Sequence, residues 1–187
     1  MAQTQFSIEK LKATVGEFAK GNRYNVSITP PAFLSASSQT LNKLPFLCES
    51  VSLPTKGIAT NPHDIGNGPP REIAYRETFT ESALSFILDD AFEIKSFFDG
   101  WQAGIMNSNS TRNPNYYFNY VGEIRIARLI NSATTLDPAA GNYRVVLLEA
   151  YPSAVGEVAL GHAQGNEVLK LSVTFKYRRW NALANFL

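Results

Sequence analysis

The sequence predicts a mainly β protein: an antiparallel β-sandwich or small β-barrel with one capping α-helix and an N-terminal helical arm. Three observations point there. Apolar and polar residues alternate in several short runs, turn residues separate those runs, and only one internal segment carries a strong helical period. With one crossover helix available, the repeated strand–helix–strand units of a parallel sheet cannot be built. At 187 residues and 44% hydrophobic content, residues 1–187 can bury one sizeable core as a single domain.

In chain order, Ile8, Leu11, Val15 and Phe18 are spaced three, four and three apart, with Ser7 placed to cap the start and Gly21 just beyond the end. That spacing predicts a short amphipathic helix within an arm over 1–21. Tyr24, Val26 and Ile28 then alternate with Asn25 and Ser27 until Pro30-Pro31 stops the ladder, so a strand follows directly. Residues 32–44, rich in Ser, Ala, Gln and Asn, read as a surface insertion, and Phe46–Leu53 as a second strand closed by Pro54. Thr55–Pro70 holds three Gly and three Pro between flanking strands, the second of them at 71–77. A connection of that length inside a compact domain is functional or disordered, and here it is expected to reach a partner, which can be another copy of the chain.

Ala83–Leu88 alternates again, as a strand. Asp89-Asp90 next stands before Ile94, Phe97, Phe98 and Trp101, whose spacing predicts the main helix, about twelve residues ending near Gly104. The acidic pair suits the positive end of the helix dipole, and the aromatic stripe is expected to cover a sheet face or an open barrel end. A polar loop over Asn107–Asn115 leads to expected strands at Tyr116–Ile130 and Tyr143–Tyr151, and a link at Pro152–Glu157 leads to the last segment. From Glu167 to Arg178, Leu169, Leu171, Val173, Phe175 and Tyr177 alternate with Lys170, Ser172, Thr174, Lys176 and Arg178. One twelve-residue strand of about 40 Å is expected, its odd face in the core and its even face in water.

Composition narrows the function. Lys plus Arg number 17 against 16 for Asp plus Glu, so no global field draws in nucleic acid or an anionic membrane. The single Cys48 excludes an internal disulfide framework, and no apolar window approaches the ~18 residues of a membrane span. Catalytic readings fare poorly. His63 and His162 sit in Gly-rich polar contexts without ligand-spaced partners, and the phosphate-cradle and nucleophile-elbow motifs are absent. Asp89-Asp90 reads as a helix cap rather than a carboxylate pair, and Cys48 as a buried structural thiol. No catalytic residue, metal or cofactor is assigned. Arg125, Arg128, Lys170, Lys176 and Arg178 lack the basic excess and same-face aromatics of a nucleic-acid platform.

Several separated stretches carry a family resemblance. Tyr151-Pro152-Ser153-Ala154-Val155-Gly156-Glu157-Val158-Ala159-Leu160, followed by a polar turn with Asn166 and the alternating strand, resembles a signature of tail-tube proteins from contractile-tailed bacteriophages. Phe18–Val26, Cys48–Pro54 and the helix ending Phe98-Asp99-Gly100-Trp101-Gln102 match in the same order, so that the resemblance runs from about Glu17 to Trp180. Tyr151, Pro152, Val155, Gly156, Glu157 and Trp101 are its motif residues.

The resemblance implies a structural virion protein, assembled in the host cytoplasm into six-fold rings that stack as a hollow tube inside a contractile sheath. Its partners would be other copies of itself, sheath and baseplate proteins, and the genomic DNA that passes through the lumen. The arm and the loop over 55–70, with Thr55, Asn61, His63, Asp64 and Asn67, would then contact neighbouring subunits and rings, and Lys170, Ser172, Thr174, Lys176 and Arg178 would line water or the channel. The insertions at 32–44 and Asn131–Gly141 keep a baseplate tube initiator as the alternative, beside the inner tube of a contractile injection system. A reading of another class is a soluble β-barrel ligand-binding module with Tyr116, Tyr117 and Tyr120 as its platform.

Overall fold

Two four-stranded antiparallel sheets share one long strand, and the core lies between them. The computed structural model describes residues 8–16, 18–35, 37–63, 66, 68–106, 113–130, 141–161 and 167–184. Its strands are β1 (Tyr24–Thr29), β2 (Cys48–Val51), β3 (Lys56–His63), β4 (Arg71–Phe79), β5 (Ser82–Ile87), β6 (Gly122–Leu129), β7 (Gly141–Val155), β8 (Lys170–Lys176) and β9 (Arg179–Ala184). Its helices are α1 (Ile8–Val15), α2 (Ser38–Leu47), α3 (Glu93–Ile105) and the single turn α4 (Tyr117–Tyr120). One sheet runs β1-β6-β7-β9 and the other β7-β8-β5-β2, while among the described residues β3 and β4 pair only with each other.

The strand β7 joins the sheets by bending. Its first part, Tyr143–Leu148, lies between β6 and β9, and its second part, Tyr151–Val155, pairs with β8. The bend falls at Glu149, which has a left-handed φ of 56° and bulges opposite Gly122/Glu123. A non-glycine residue there costs about 1 kcal/mol or more, and the extra residue re-aims the chain from one sheet to the other. Pro152–Val155 therefore extends a strand instead of forming the expected link. Gly156 continues the ladder by donating its N–H to the Ser172 carbonyl at 2.7 Å, and a Cβ at this position would lie 2.8 Å from that oxygen.

Alternation sorts the residues as expected. Leu171, Val173 and Phe175 of β8 are fully buried, together with Leu84 and Phe86 of β5, Ile124 and Ile126 of β6, and Val145 and Leu147 of β7. The main helix α3 closes the open side of the sheets with its aromatic stripe: Ile94, Phe97, Phe98 and Trp101 are buried. Phe98 meets Phe86 at 5.3 Å and Phe175 at 5.8 Å between ring centroids, in tilted and edge-on geometry. The Trp101 indole N–H donates to the Tyr120 carbonyl at 2.8 Å, which satisfies its one polar atom in the core. Asp89 accepts the Glu93 backbone N–H at 3.1 Å, while the N-cap position itself is Phe92, with a left-handed φ of 51° and no side-chain cap bond.

The barrel does not close: among the described residues β1 and β2 each keep one open edge, and the two are bridged by the Tyr24 hydroxyl donating to the Cys48 carbonyl at 2.9 Å and by α2 packed across the end. That helix corrects the surface insertion expected at 32–44 and shortens the strand expected at Phe46–Leu53 to Cys48–Val51. Ser37 caps it by accepting the Thr40 N–H, Leu44 is buried, and Lys43 reaches Glu93 at 2.8 Å on α3. Composition alone hid one apolar face among polar residues.

Three further expectations are corrected. The segment Thr55–Pro70 is no open loop: Lys56–His63 forms β3 and pairs with β4. Its strands show no apolar–polar alternation because nearly all of both faces is exposed. The strand expected from Tyr116 begins only at Gly122, after α4. The single strand over Glu167–Arg178 is seven residues, Lys170–Lys176, followed by β9. The chain breaks at Tyr177-Arg178, where Arg178 donates its N–H to the Leu148 carbonyl and β9 turns onto the other sheet. The Ser7 cap, His162, Asn166 and nearly all of the 131–141 segment lie outside the described residues.

Candidate assembly surfaces

The helix α1 forms at the expected place, and its Ile8 is 74% exposed, as Phe18 is at 63%. The arm therefore presents apolar side chains to solvent.

The hairpin β3–β4 is the second projecting element. Ile58, Ile73 and Tyr75 are each more than half exposed on it, and its two outer strand edges carry no ladder partner among the described residues. Lys56 and Glu77 pair at 2.6 Å near its base, and His63 stands opposite Arg71 at its far end. Of the residues expected to contact neighbours, Thr55 lies at the base, Asn61 and His63 lie on β3, and Asp64 and Asn67 lie outside the described residues. Exposed apolar groups beside open strand edges invite pairing with another chain.

The outer face of the β7-β8-β5-β2 sheet is polar, and its cations are matched. Lys170 pairs with Glu49, Lys176 with Glu81 at 3.2 Å and Arg178 with Glu149 at 2.9 Å. All three cations are more than half exposed, so each pair contributes at most about 1 kcal/mol to stability. Their effect is on charge. Lys170, Ser172 and Lys176 are exposed and Thr174 is half-buried, forming a face with little net field.

The motif residues are structural. Tyr151 packs edge-on to Tyr120 at 5.4 Å, Pro152 is buried with its carbonyl accepting from Gln102 at 3.5 Å, and Val155 packs on the core, leaving Glu157 exposed. Tyr117 likewise meets Tyr120 edge-on at 5.5 Å; burial and the Glu149 carboxylate push its phenol up to about 12. Tyr116 is 84% exposed and stands apart. The three tyrosines thus offer no common flat platform. Cys48 is buried, and that burial pushes its thiol up to about 12. The thiol therefore stays protonated at pH 8. Native protein is expected to resist a thiol-directed disulfide reagent at pH 8 and to release one equivalent of thiol after denaturation; rapid native labelling would contradict the burial.

Among the described residues no group of three or more His, Cys, Asp or Glu is placed to hold a metal ion, and no helix is long and apolar enough to cross a membrane. Sequence reasoning missed β9, whose Trp180 donates its indole N–H to the Thr55 carbonyl at the hairpin base, 3.3 Å away. Its apolar positions are too few and too near the end of the chain to show a period.

This architecture is shared with known assemblies at low sequence identity. A chain of the anti-feeding prophage baseplate matches with a TM-score of 0.63 and 15% identity, covering 92% of this chain and 99% of that one. A chain of the anti-feeding prophage tube-terminating cap matches at 0.64 and 15%, covering 98% and 99%. A chain of the sheath-tube complex of an extracellular contractile injection system matches at 0.59 and 14%, covering 96% and 99%. These likenesses show the fold. A comparison with curated protein sequences finds no match. The model of the phage tail tube protein family matches residues 19–183, both sheets and the hairpin included, and the chain belongs to that family.

Proposed function

We propose that the protein forms hexameric rings that stack into the hollow inner tube of a contractile phage tail, the conduit for DNA ejection. The observation that carries this reading is the β3–β4 hairpin: it exposes Ile58, Ile73 and Tyr75 and two open strand edges, and among the described residues it joins no other sheet. Family membership supplies the setting. Head-to-tail contacts close into a ring when the rotation allows, and a projecting element then reaches the next layer. The arm, with Ile8 and Phe18 exposed, supports the same reading.

In this reading Lys170, Ser172, Thr174, Lys176 and Arg178 line the lumen. Their support is charge matching: phosphate binding scales with the number of unmatched cationic contacts, so a wall whose lysines and arginine are paired lets a polyanion slide. Sheath and baseplate proteins contact the outside of the tube. A position at the end of the tube, as initiator at the baseplate, is the second reading; its support is that the matching folds include chains from a baseplate and a tube-terminating cap. The inner tube of a contractile injection system has the same architecture and is the third.

Negative-stain imaging of the purified protein is the test. Six-fold rings that elongate into tubes with concentration support a tube subunit, and rings that never stack support an end position. A strictly monomeric protein at high concentration would sink both.

A further inference from the structure

The β3–β4 hairpin and the β2–β5 pair are one long two-stranded ribbon broken at a joint. On the sheet side, Val51 is paired with Leu84, the Ser52 N–H donates to the Ala83 carbonyl at 3.0 Å, and the Ser82 hydroxyl donates to the Ser52 carbonyl at 2.8 Å. On the hairpin side, pairing resumes at Lys56 and Phe79. Between them, Leu53-Pro54-Thr55 on one strand faces Thr80-Glu81 on the other, and Pro54 has no N–H for a ladder. The ladder is interrupted here, which leaves the ribbon free to bend at this point.

Side chains from outside the ribbon lie across this joint. Trp180 of β9, packed against the core on its ring, donates its indole N–H to the Thr55 carbonyl at 3.3 Å. The Phe79 ring meets Tyr177 at 6.1 Å, Glu81 pairs with Lys176 at 3.2 Å, and the Thr55 and Thr80 hydroxyls bond across the joint at 2.5 Å. Tyr177, Lys176 and Trp180 all belong to the turn from β8 into β9 or to the residues beside it. We propose that this C-terminal segment is a latch that sets the direction of a hinged hairpin, with Trp180 as its positioning residue.

The consequence for assembly rests on the stacking reading above: the direction of the hairpin decides which neighbour it meets, so the last strand of the chain governs contacts made by residues more than a hundred positions earlier. The latch itself does not depend on that reading. The same joint forms one wall of a cleft of about 770 Å³, completed by Tyr117, Tyr151 and Arg178, so a swing of the hairpin opens or closes that space.

Spin labels at Asn61→Cys on the hairpin and Glu157→Cys on the body report the hairpin direction by their distance distribution, measured on labelled protein diluted among unlabelled copies; buried Cys48 stays unlabelled. Trp180→Phe keeps an aromatic ring on the core and removes the indole donor together with one ring of the bicycle. It is expected to broaden or shift the distribution at least twofold in width, with the melting temperature of the body nearly unchanged. Thr80→Val, which touches only the hydroxyl pair, is expected to broaden it less, and serves in place of Trp180→Phe if that variant loses its fold. A distribution with the width and the centre of the parent's in both variants would overturn the latch. Because the distances are read within one subunit, failure of the latch and failure of stacking give different results: the first leaves the distribution unchanged, and the second leaves single rings or monomers on the grid.

Discussion

Replacing Phe175 with Asp is expected to abolish folding. Phe175 has no exposed surface, stacks against Phe98 and lies 6.4 Å from Trp101 between ring centroids. It stands on β8 opposite Ser82 of β5 on one side and Pro152 of β7 on the other, at the centre of the sheet that α3 covers. Removing the ring costs about 3–5 kcal/mol in lost burial and cavity. An unpaired carboxylate in its place costs several kcal/mol more, or takes up a proton to avoid ionising. Together these terms exceed or consume a typical stability of about 5–15 kcal/mol. The expected outcome is insoluble protein, or protein with no near-ultraviolet dichroism and no cooperative melting transition. Phe175→Leu, by contrast, should fold with a lowered melting temperature. A native-like Phe175→Asp variant would mean that the odd-numbered face of β8 does not form the core.

Excising the hairpin is expected to have the opposite profile: an intact body with stacking lost. Joining Thr55 to Thr80 by a short Gly-Ser connector removes β3 and β4 but leaves Cys48–Val51 paired with Leu84–Phe86. The removed strands contribute little to the core, since nearly every position on them is exposed, and a shorter connection lowers the entropy cost of closing the loop. The melting temperature should move by only a few degrees, against roughly 4–8 °C for each kcal/mol in a small domain. Rings should persist, and stacks should vanish from negative-stain fields. Removing only residues 55–70 is the poorer experiment, because β4 would keep its backbone donors and acceptors without a partner strand. Tubes formed by the fully excised protein would end the stacking role of the hairpin.

Much of the fold was legible because the sandwich core follows from period-two alternation. Leu171, Val173 and Phe175 declared the inner face of β8, as Tyr24, Val26 and Ile28 did for β1, and Ile94, Phe97, Phe98 and Trp101 declared the covered face of α3. These are local patterns, and in each case the tertiary structure kept them. Elements whose pattern was weak fared worse. The helix α2 hides Leu44 among Ser, Gln, Asn and Lys, and only its packing against α3 and β1 makes that face visible. The turn α4 carries Tyr117 and Tyr120, just after Tyr116, at a spacing that fits strand or helix equally, and the Trp101 bond to the Tyr120 carbonyl accompanies the helical choice. In β3 both faces are exposed within the chain, so the strand shows no alternation at all.

Residue order alone determined that this is a mainly antiparallel β protein with one covering helix, and the Tyr151–Leu160 stretch with its colinear matches led to the tail tube family. Those conclusions rest on which side chains avoid water, a property written locally along each strand. The tertiary structure decided that β7 serves two sheets by bending at Glu149, that the final run splits into β8 and β9, and that the long connection is a paired hairpin whose base accepts the Trp180 indole N–H. Each of these depends on contacts between residues far apart in the chain: Glu149 with Arg178, Trp180 with Thr55, Tyr177 with Phe79. No local period encodes such a meeting, because its energy appears only once the two segments have been brought together by the core.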